Sequence, residues 1–160
     1  MRNYKKIDAY KIADEVVFEI YQATRSFPKE ELYGLTSQLR RAVVSVPANI
    51  AEGSSRQHNR DYLNFLYIAR GSAAEVEYLL NLSKKLDYIN SENFDRANKL
   101  ICRVAKCLYF LIRSVESELS PHPLSNRRIV PWSHSPIVLS YLKSSLMCAT
   151  LLGGLVVLVE

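Results

Sequence analysis

The sequence predicts an all-α protein: an antiparallel up-and-down four-helix bundle with a kinked second helix, followed by an irregular C-terminal tail. Three observations carry this expectation. Apolar residues recur at steps of three and four along four separate stretches. No stretch alternates apolar and polar residues as a half-buried strand would. The links between the stretches are mostly short and polar, which favours antiparallel neighbours. A chain of 160 residues suits one such domain, expected over residues 4–119, with a Pro-rich linker and an apolar tail over residues 120–160.

The first helix is expected to begin at Ile7 or Asp8. Ala9, Ala13, Val16, Ile20, Ala23 and Phe27 fall on one face, and Lys11, Asp14, Glu15 and Glu19 on the other. Pro28 followed by Lys29, Glu30 and Glu31 reads as a short helical turn or a loop. Gly34 permits the redirection into the second helix.

That second helix, expected over Leu35 to Glu52, begins the stretch around which the chain is organised, Gln38 to Arg60. Leu39, Ala42, Val46 and Ile50 line its apolar face. Pro47 lies inside the pattern. It lacks a backbone donor and crowds the preceding turn, so a kink near Val43 to Val46 is expected. Gly53 follows the last periodic residue and is suited to a left-handed helix end. Gln38, Arg40, Arg41, Asn49, Glu52, Ser54, Ser55, Arg56 and Arg60 form a dense polar set around this apolar face.

The third helix is expected over Arg60 to Leu86. One stripe runs through Tyr62, Leu66, Ala69, Ala73, Val76 and Leu80, and a second through Phe65, Ile68, Ser72, Leu79 and Leu86. Together they predict a wide apolar face. Asp87 to Asn90 break the pattern, and Ser91 can cap the fourth helix, with Glu92 and Asp95 in its first turn. There Phe94, Ala97, Ile101, Val104, Leu108, Leu111 and Val115 keep a four-three spacing, widened by Ala105, Ile112 and Leu119. Such a sustained repeat suits left-handed bundle packing. No internal repeat of solenoid length and no low-complexity run is present.

The run SQLRRAVVSVPANIAEGSSR, together with Tyr10-Lys11-Ile12-Ala13 and Phe27-Pro28-Lys29-Glu30-Glu31, resembles the small bundle proteins encoded by intervening sequences within bacterial 23S ribosomal RNA genes. The likeness covers residues 4 to 119. It implies an antiparallel four-helix bundle forming a ring-like homo-oligomer, with a pentamer suspected. It implies much less about activity, because the family has no established enzymatic role. A related bundle is the accessory variability determinant of diversity-generating retroelements, which binds nucleic acid and a reverse transcriptase. By that analogy a reverse transcriptase is a possible partner here, although fold alone does not fix function.

Net charge is +5. Residues 1–119 hold 18 basic and 15 acidic side chains, so the excess on the bundle permits an anionic partner without demanding one. Cys102, Cys107 and Cys148 have no metal-ligand spacing. No signal-like segment opens the sequence, so free thiols and a cytoplasmic location are expected.

From Ser120 the composition changes. Four of the six prolines and the only Trp, Trp132, lie beyond it. Residues 137–159 are mostly apolar, but Lys143 interrupts them and Gly153-Gly154 loosen them, so a membrane partner is not favoured. Three readings stay open: a membrane anchor, a segment packing on the bundle or oligomer, and an extension without selected structure. The resemblance, which stops at the fourth helix, supports the last.

Catalytic chemistry is not expected. No Glu-x-x-His pair, phosphate-binding glycine loop, dinucleotide fingerprint or nucleophile motif occurs, and no metal or cofactor is expected. Ser54, Ser55 and His58 read as turn and capping residues. Two functions remain. In the first, an oligomer binds RNA or DNA through Arg40, Arg41, Arg56, Arg60 and Arg70, with Tyr62 and Tyr67 available for stacking. The bland alternative pairs these arginines with Glu52, Asp61 and Glu75. In the second, the chain is a protein-interaction scaffold whose subunit or docking interface includes Gln38, Pro47, Asn49, Glu52 and Gly53.

Overall fold

A computed structural model of the protein describes residues 2–119, and the expectations for residues 120–160 lie outside the described residues. Helix α1 spans Asp8–Ala23, α2 Leu35–Ser54, α3 Asn59–Lys85 and α4 Ser91–Leu119. Short 3-10 turns cover Tyr4–Lys6, Thr24–Ser26 and Lys29–Glu31. No strand occurs among the described residues. Each helix packs against its neighbours in sequence, and α4 closes back on α1. The links after α2 and α3 hold only a few residues, which makes consecutive helices antiparallel. The result is the four-helix bundle that the spacing predicts.

Each helix buries its apolar stripe. On α1 these are Ala9, Ile12, Ala13, Val16, Ile20 and Ala23. Leu39, Val43, Val46 and Ile50 of α2 meet Tyr62, Leu66, Val76 and Leu80 of α3 and Ile101, Val104 and Leu108 of α4 in one core. A fully buried aliphatic side chain contributes about 1.5–3 kcal/mol, so these stripes are the dominant favourable term.

The connections show how local chemistry sets the turns. Phe27 is extended (ψ 150°), as the residue before a proline must be, and its ring is buried. The Pro28–Glu31 segment resolves as a helical turn. A glycine at 34 lets the Glu31 carboxylate close on the start of α2, where it accepts the Leu35 N–H at 2.9 Å. A Cβ at Gly34 would lie 2.5 Å from that carboxylate oxygen.

Four expectations are corrected. Gly53 does not end α2 in a left-handed conformation. It is a buried helical residue, and the helix runs on to Ser54. The left-handed terminator is Asp87, at φ 57°. The Tyr88 N–H returns to the Ser83 carbonyl and the Asp87 N–H to that of Lys84, which completes a Schellman end for α3. Asn90, not Ser91, caps α4: its side-chain oxygen accepts the Asn93 N–H at 2.8 Å. On α3, Ile68 and Leu86 stay exposed, while Leu79 and Ser83 are buried. With a neighbour on only two sides, a helix in a closed square has room to bury one stripe and not two adjacent ones. On α4 the same limit buries Ile112 and leaves Leu111 half-buried and Ala105 exposed.

Candidate nucleic-acid interface

Helix α2 presents one continuous polar stripe. Gln38, Arg41, Ser45, Asn49 and Glu52 follow steps of three and four, so they share a face beside the buried Leu39, Val46 and Ile50, and Arg56 follows in the link just after the helix. Pro47 sits on the buried side and the helix continues across it. Because proline lacks an N–H, the Val43 carbonyl loses its helical donor. Asn49 does not replace that donor. Its amide donates to the Ser45 carbonyl at 2.7 Å and to the Ser45 hydroxyl at 3.0 Å. The Ser45 hydroxyl meets that of Ser72 on α3 at 2.9 Å, so this part of the stripe is a cross-helix clamp.

Farther along the stripe the helices come close. A Cβ on Gly53 would lie 2.6 Å from the Phe65 Cβ and 3.1 Å from the Tyr62 ring. Arg56 caps this junction. It pairs with Glu52 one turn back and lies 4.7 Å over the Phe65 ring. Its charge is already answered by a carboxylate. Ser54 and Ser55 donate their hydroxyls to the carbonyls of Ala51 and Glu52, at 2.7 Å each.

At the other end of α2 the electrostatics differ. An open groove of about 710 Å³ runs between α1, the connection and α2. Tyr21 of α1, Leu32 and Tyr33 of the connection, and Arg40, Arg41 and Val44 of α2 line it. Arg40 is held in place: its Nε donates to the Thr24 hydroxyl at 2.9 Å, and its guanidinium lies 5.0 Å from the Tyr21 ring centre. Arg41 is exposed, and its side chain has no ion pair or hydrogen bond among the described residues. No carboxylate lines the groove. Thr36 lies there too, and its buried hydroxyl has no partner among the described residues. An unsatisfied buried hydroxyl costs about 1–3 kcal/mol.

The five arginines therefore do not form one patch. Arg40 and Arg41 share the groove, and Arg56 is neutralised at the far end of α2. Arg60 stands exposed in the first turn of α3 with no ion pair among the described residues. Arg70 lies 4.9 Å over the Tyr67 ring, on the α3–α4 side. There the Tyr67 hydroxyl donates to Glu116, which also takes Arg113 at 3.0 Å. That hydrogen bond, aided by burial, pushes the Tyr67 hydroxyl above its ordinary pKa. Of the carboxylates expected to neutralise these arginines, only Glu52 does so among the described residues.

Tyr62 is not available for stacking, which corrects the sequence reading. Its ring is 1% exposed, and burial raises its pKa. Its face is already taken by Arg2, whose guanidinium lies 4.4 Å from the ring centre. Arg2 also donates to Asn59 and, through its backbone, to the Ser54 carbonyl. Asn59 passes the link to Glu118 at 2.7 Å. This end clasp ties the amino-terminal segment to α2, α3 and α4. A lone arginine outside any periodic pattern gave no sign of it. Sequence reasoning also missed Tyr21, Leu32 and Tyr33. The signal available was two large apolar residues, Leu32 and Tyr33, in an otherwise polar link.

Among the described residues no group of three His, Cys, Asp or Glu side chains converges to hold a metal, and no helix is long and apolar enough to cross a membrane.

Comparison with known proteins agrees with the architecture. The family model described as 23S rRNA-intervening sequence protein matches residues 5–110. A crystal structure of a protein of unknown function from the S23 ribosomal protein family of Bacteroides thetaiotaomicron is similar, at 26% identity and a TM-score of 0.61. The match covers 66% of this chain and 98% of that one. No curated protein matches. The matched residues take in α1, α2, α3 and most of α4, groove and polar stripe included, and the chain belongs to the 23S rRNA-intervening sequence protein family.

Proposed function

We propose that this protein is a non-enzymatic, homo-oligomeric module that binds the phosphate backbone of nucleic acid and acts in the cytoplasm. The observation that carries this reading is the groove at the start of α2, where two guanidinium groups face no carboxylate. Guanidinium groups take phosphate by paired N–H donation, and a site without acidic lining does not repel it. Thr24 occupies only the Nε of Arg40, so its two Nη groups remain for an anion. Arg60 adds a second unpaired cation. Arg56 and Arg70 contribute less, being engaged by Glu52 and Tyr67. In a ring such as the suspected pentamer every groove would recur around the axis, and modest local fields would add. A reverse transcriptase is the protein partner the retroelement analogy suggests.

Native mass spectrometry of the full chain, with and without a structured RNA across a salt series, tests this. The expected result is a closed oligomer that binds RNA, with log affinity falling by about 0.7–0.9 per log unit of salt for each phosphate contacted. Arg41→Glu should weaken binding far more than Arg56→Glu, and the double variant should abolish it with helicity intact. If affinity and salt slope survive in Arg41→Glu, the phosphate role is wrong.

The α2 stripe favours a second reading, an interaction scaffold. Gln38 is exposed, with no side-chain hydrogen bond among the described residues, and Val44 on α2 and Ile68 on α3 are exposed apolar side chains. A closed oligomer that binds no RNA even at low salt would support this reading instead.

A further inference from the structure

We infer that the groove between α1 and α2 is selective for single-stranded nucleic acid, with Tyr33 as a stacking platform for a base. The inference rests on the phosphate-binding reading above and adds the class of strand.

Tyr33 is 91% exposed, the most exposed of the protein's large apolar side chains among the described residues, yet it lines a concave site. It sits in the tight connection between the Lys29–Glu31 turn and α2, where its neighbours hold the backbone. The Leu32 N–H bonds to Lys29 and the Gly34 N–H to Glu31. The ring is thus presented from a fixed turn with both faces open. Leu32 and Val44, each about half-exposed, extend the apolar lining around it.

An exposed aromatic ring beside two cations and no carboxylate matches a nucleotide, which has a flat π-face and a phosphate. Base–aromatic stacking tolerates any sequence, because every base has a π-face. An unpaired base can also lie on an arginine plane, and Arg40 is already steadied by Tyr21 and Thr24. A volume of about 710 Å³ lies within the range of ligand clefts and gives room for a nucleotide. A duplex fits this chemistry poorly. Its bases already stack on one another and hide their faces, so only its phosphates would reach Arg40 and Arg41.

The test is fluorescence anisotropy of the full chain with labelled oligo(dT), oligo(U), an abasic strand of the same length, and a mixed-sequence duplex. Oligo(dT) and oligo(U) should bind more tightly than the abasic strand and the duplex. The two base-bearing strands also separate a DNA from an RNA preference. Tyr33→Ala should weaken oligo(dT) or oligo(U) binding by about 5- to 150-fold, the range for loss of one stacked base, and leave the abasic strand unchanged. Tyr33→Phe should keep binding, because the ring and not the hydroxyl is the platform. At 91% exposure neither change threatens the core, and unchanged helicity by circular dichroism would verify that. Equal binding of abasic and base-bearing strands, still lost in Arg41→Glu, would overturn the stacking role while sparing the phosphate reading. Binding of none of the four at low salt would overturn both.

Discussion

Gly53 of α2 and Phe65 of α3 set how closely those two helices approach: a Cβ on the glycine would lie 2.6 Å from the Cβ of the phenylalanine. That atom belongs to the root of the Phe65 side chain and cannot rotate away. Gly53→Ala would gain about 1 kcal/mol of helix propensity but force the helices apart, and overpacking costs about 1–3 kcal/mol. Net destabilisation of up to about 2 kcal/mol is expected in urea unfolding. Gly71, also helical but on the exposed face of α3, has nothing within 4 Å of a built Cβ. Gly71→Ala should therefore stabilise by about 0.5–1 kcal/mol. If both alanines stabilise, the close approach is not a constraint.

The Gly53 result bears on what the sequence could tell. All four helices were legible, because a core stripe repeats at the helical period whatever its partner. The role of Gly53 was not. A glycine after a periodic run looks the same whether it ends a helix or admits a neighbour, and only α3 distinguishes the two. The groove was half legible. Arg40 and Arg41 stood out on α2, but Tyr21 and Tyr33 come from other segments, and no local spacing links them. Spacing does separate two of the arginines: Glu52 stands four residues before Arg56, whereas no Asp or Glu lies between Glu31 and Glu52 to answer Arg41 locally.

Asp87 holds the one positive φ among non-glycine described residues, at 57°. Aspartate tolerates this better than a branched residue does. Asp87→Val is expected to cost about 1–2 kcal/mol, whereas Asp87→Gly should leave stability equal or slightly raised. Thermal melts of the two variants would check this. A valine variant as stable as the parent would mean that the α3 terminus tolerates another ending.

Tyr62 and Tyr67 predict a loss of stability in alkali. Both hydroxyls have pKa values raised in the fold, Tyr62 chiefly by burial and Tyr67 chiefly by its hydrogen bond to Glu116. A raised folded value means the protonated form is favoured in the native state. The stabilisation is full below the unfolded tyrosine value of about 10 and is lost as pH rises through the folded values. Tyr67→Phe should cost about 1 kcal/mol at neutral pH, the worth of an ordinary hydrogen bond, and flatten the decline above about pH 10. Urea titrations at several pH values compare parent and variant. An equally steep decline in both would remove Tyr67 from the account.

Pro47 is the costliest residue in α2 on backbone grounds, since an interior proline forfeits a hydrogen bond and crowds the preceding turn, at about 3 kcal/mol. Pro47→Ala returns a donor to the Val43 carbonyl, at the expense of the buried proline ring. The bundle should therefore keep its fold and much of its stability. The same change straightens any bend at Pro47, and this would redirect the half of α2 that carries Asn49 and Glu52 and leads into Arg56. If that stripe forms the subunit interface of the proposed ring, the oligomer mass by light scattering should shift while the circular dichroism spectrum does not. An unchanged mass with an unchanged spectrum would remove the α2 bend from the assembly, and subunit contacts would then be sought on the exposed Phe18 of α1 or Phe110 of α4.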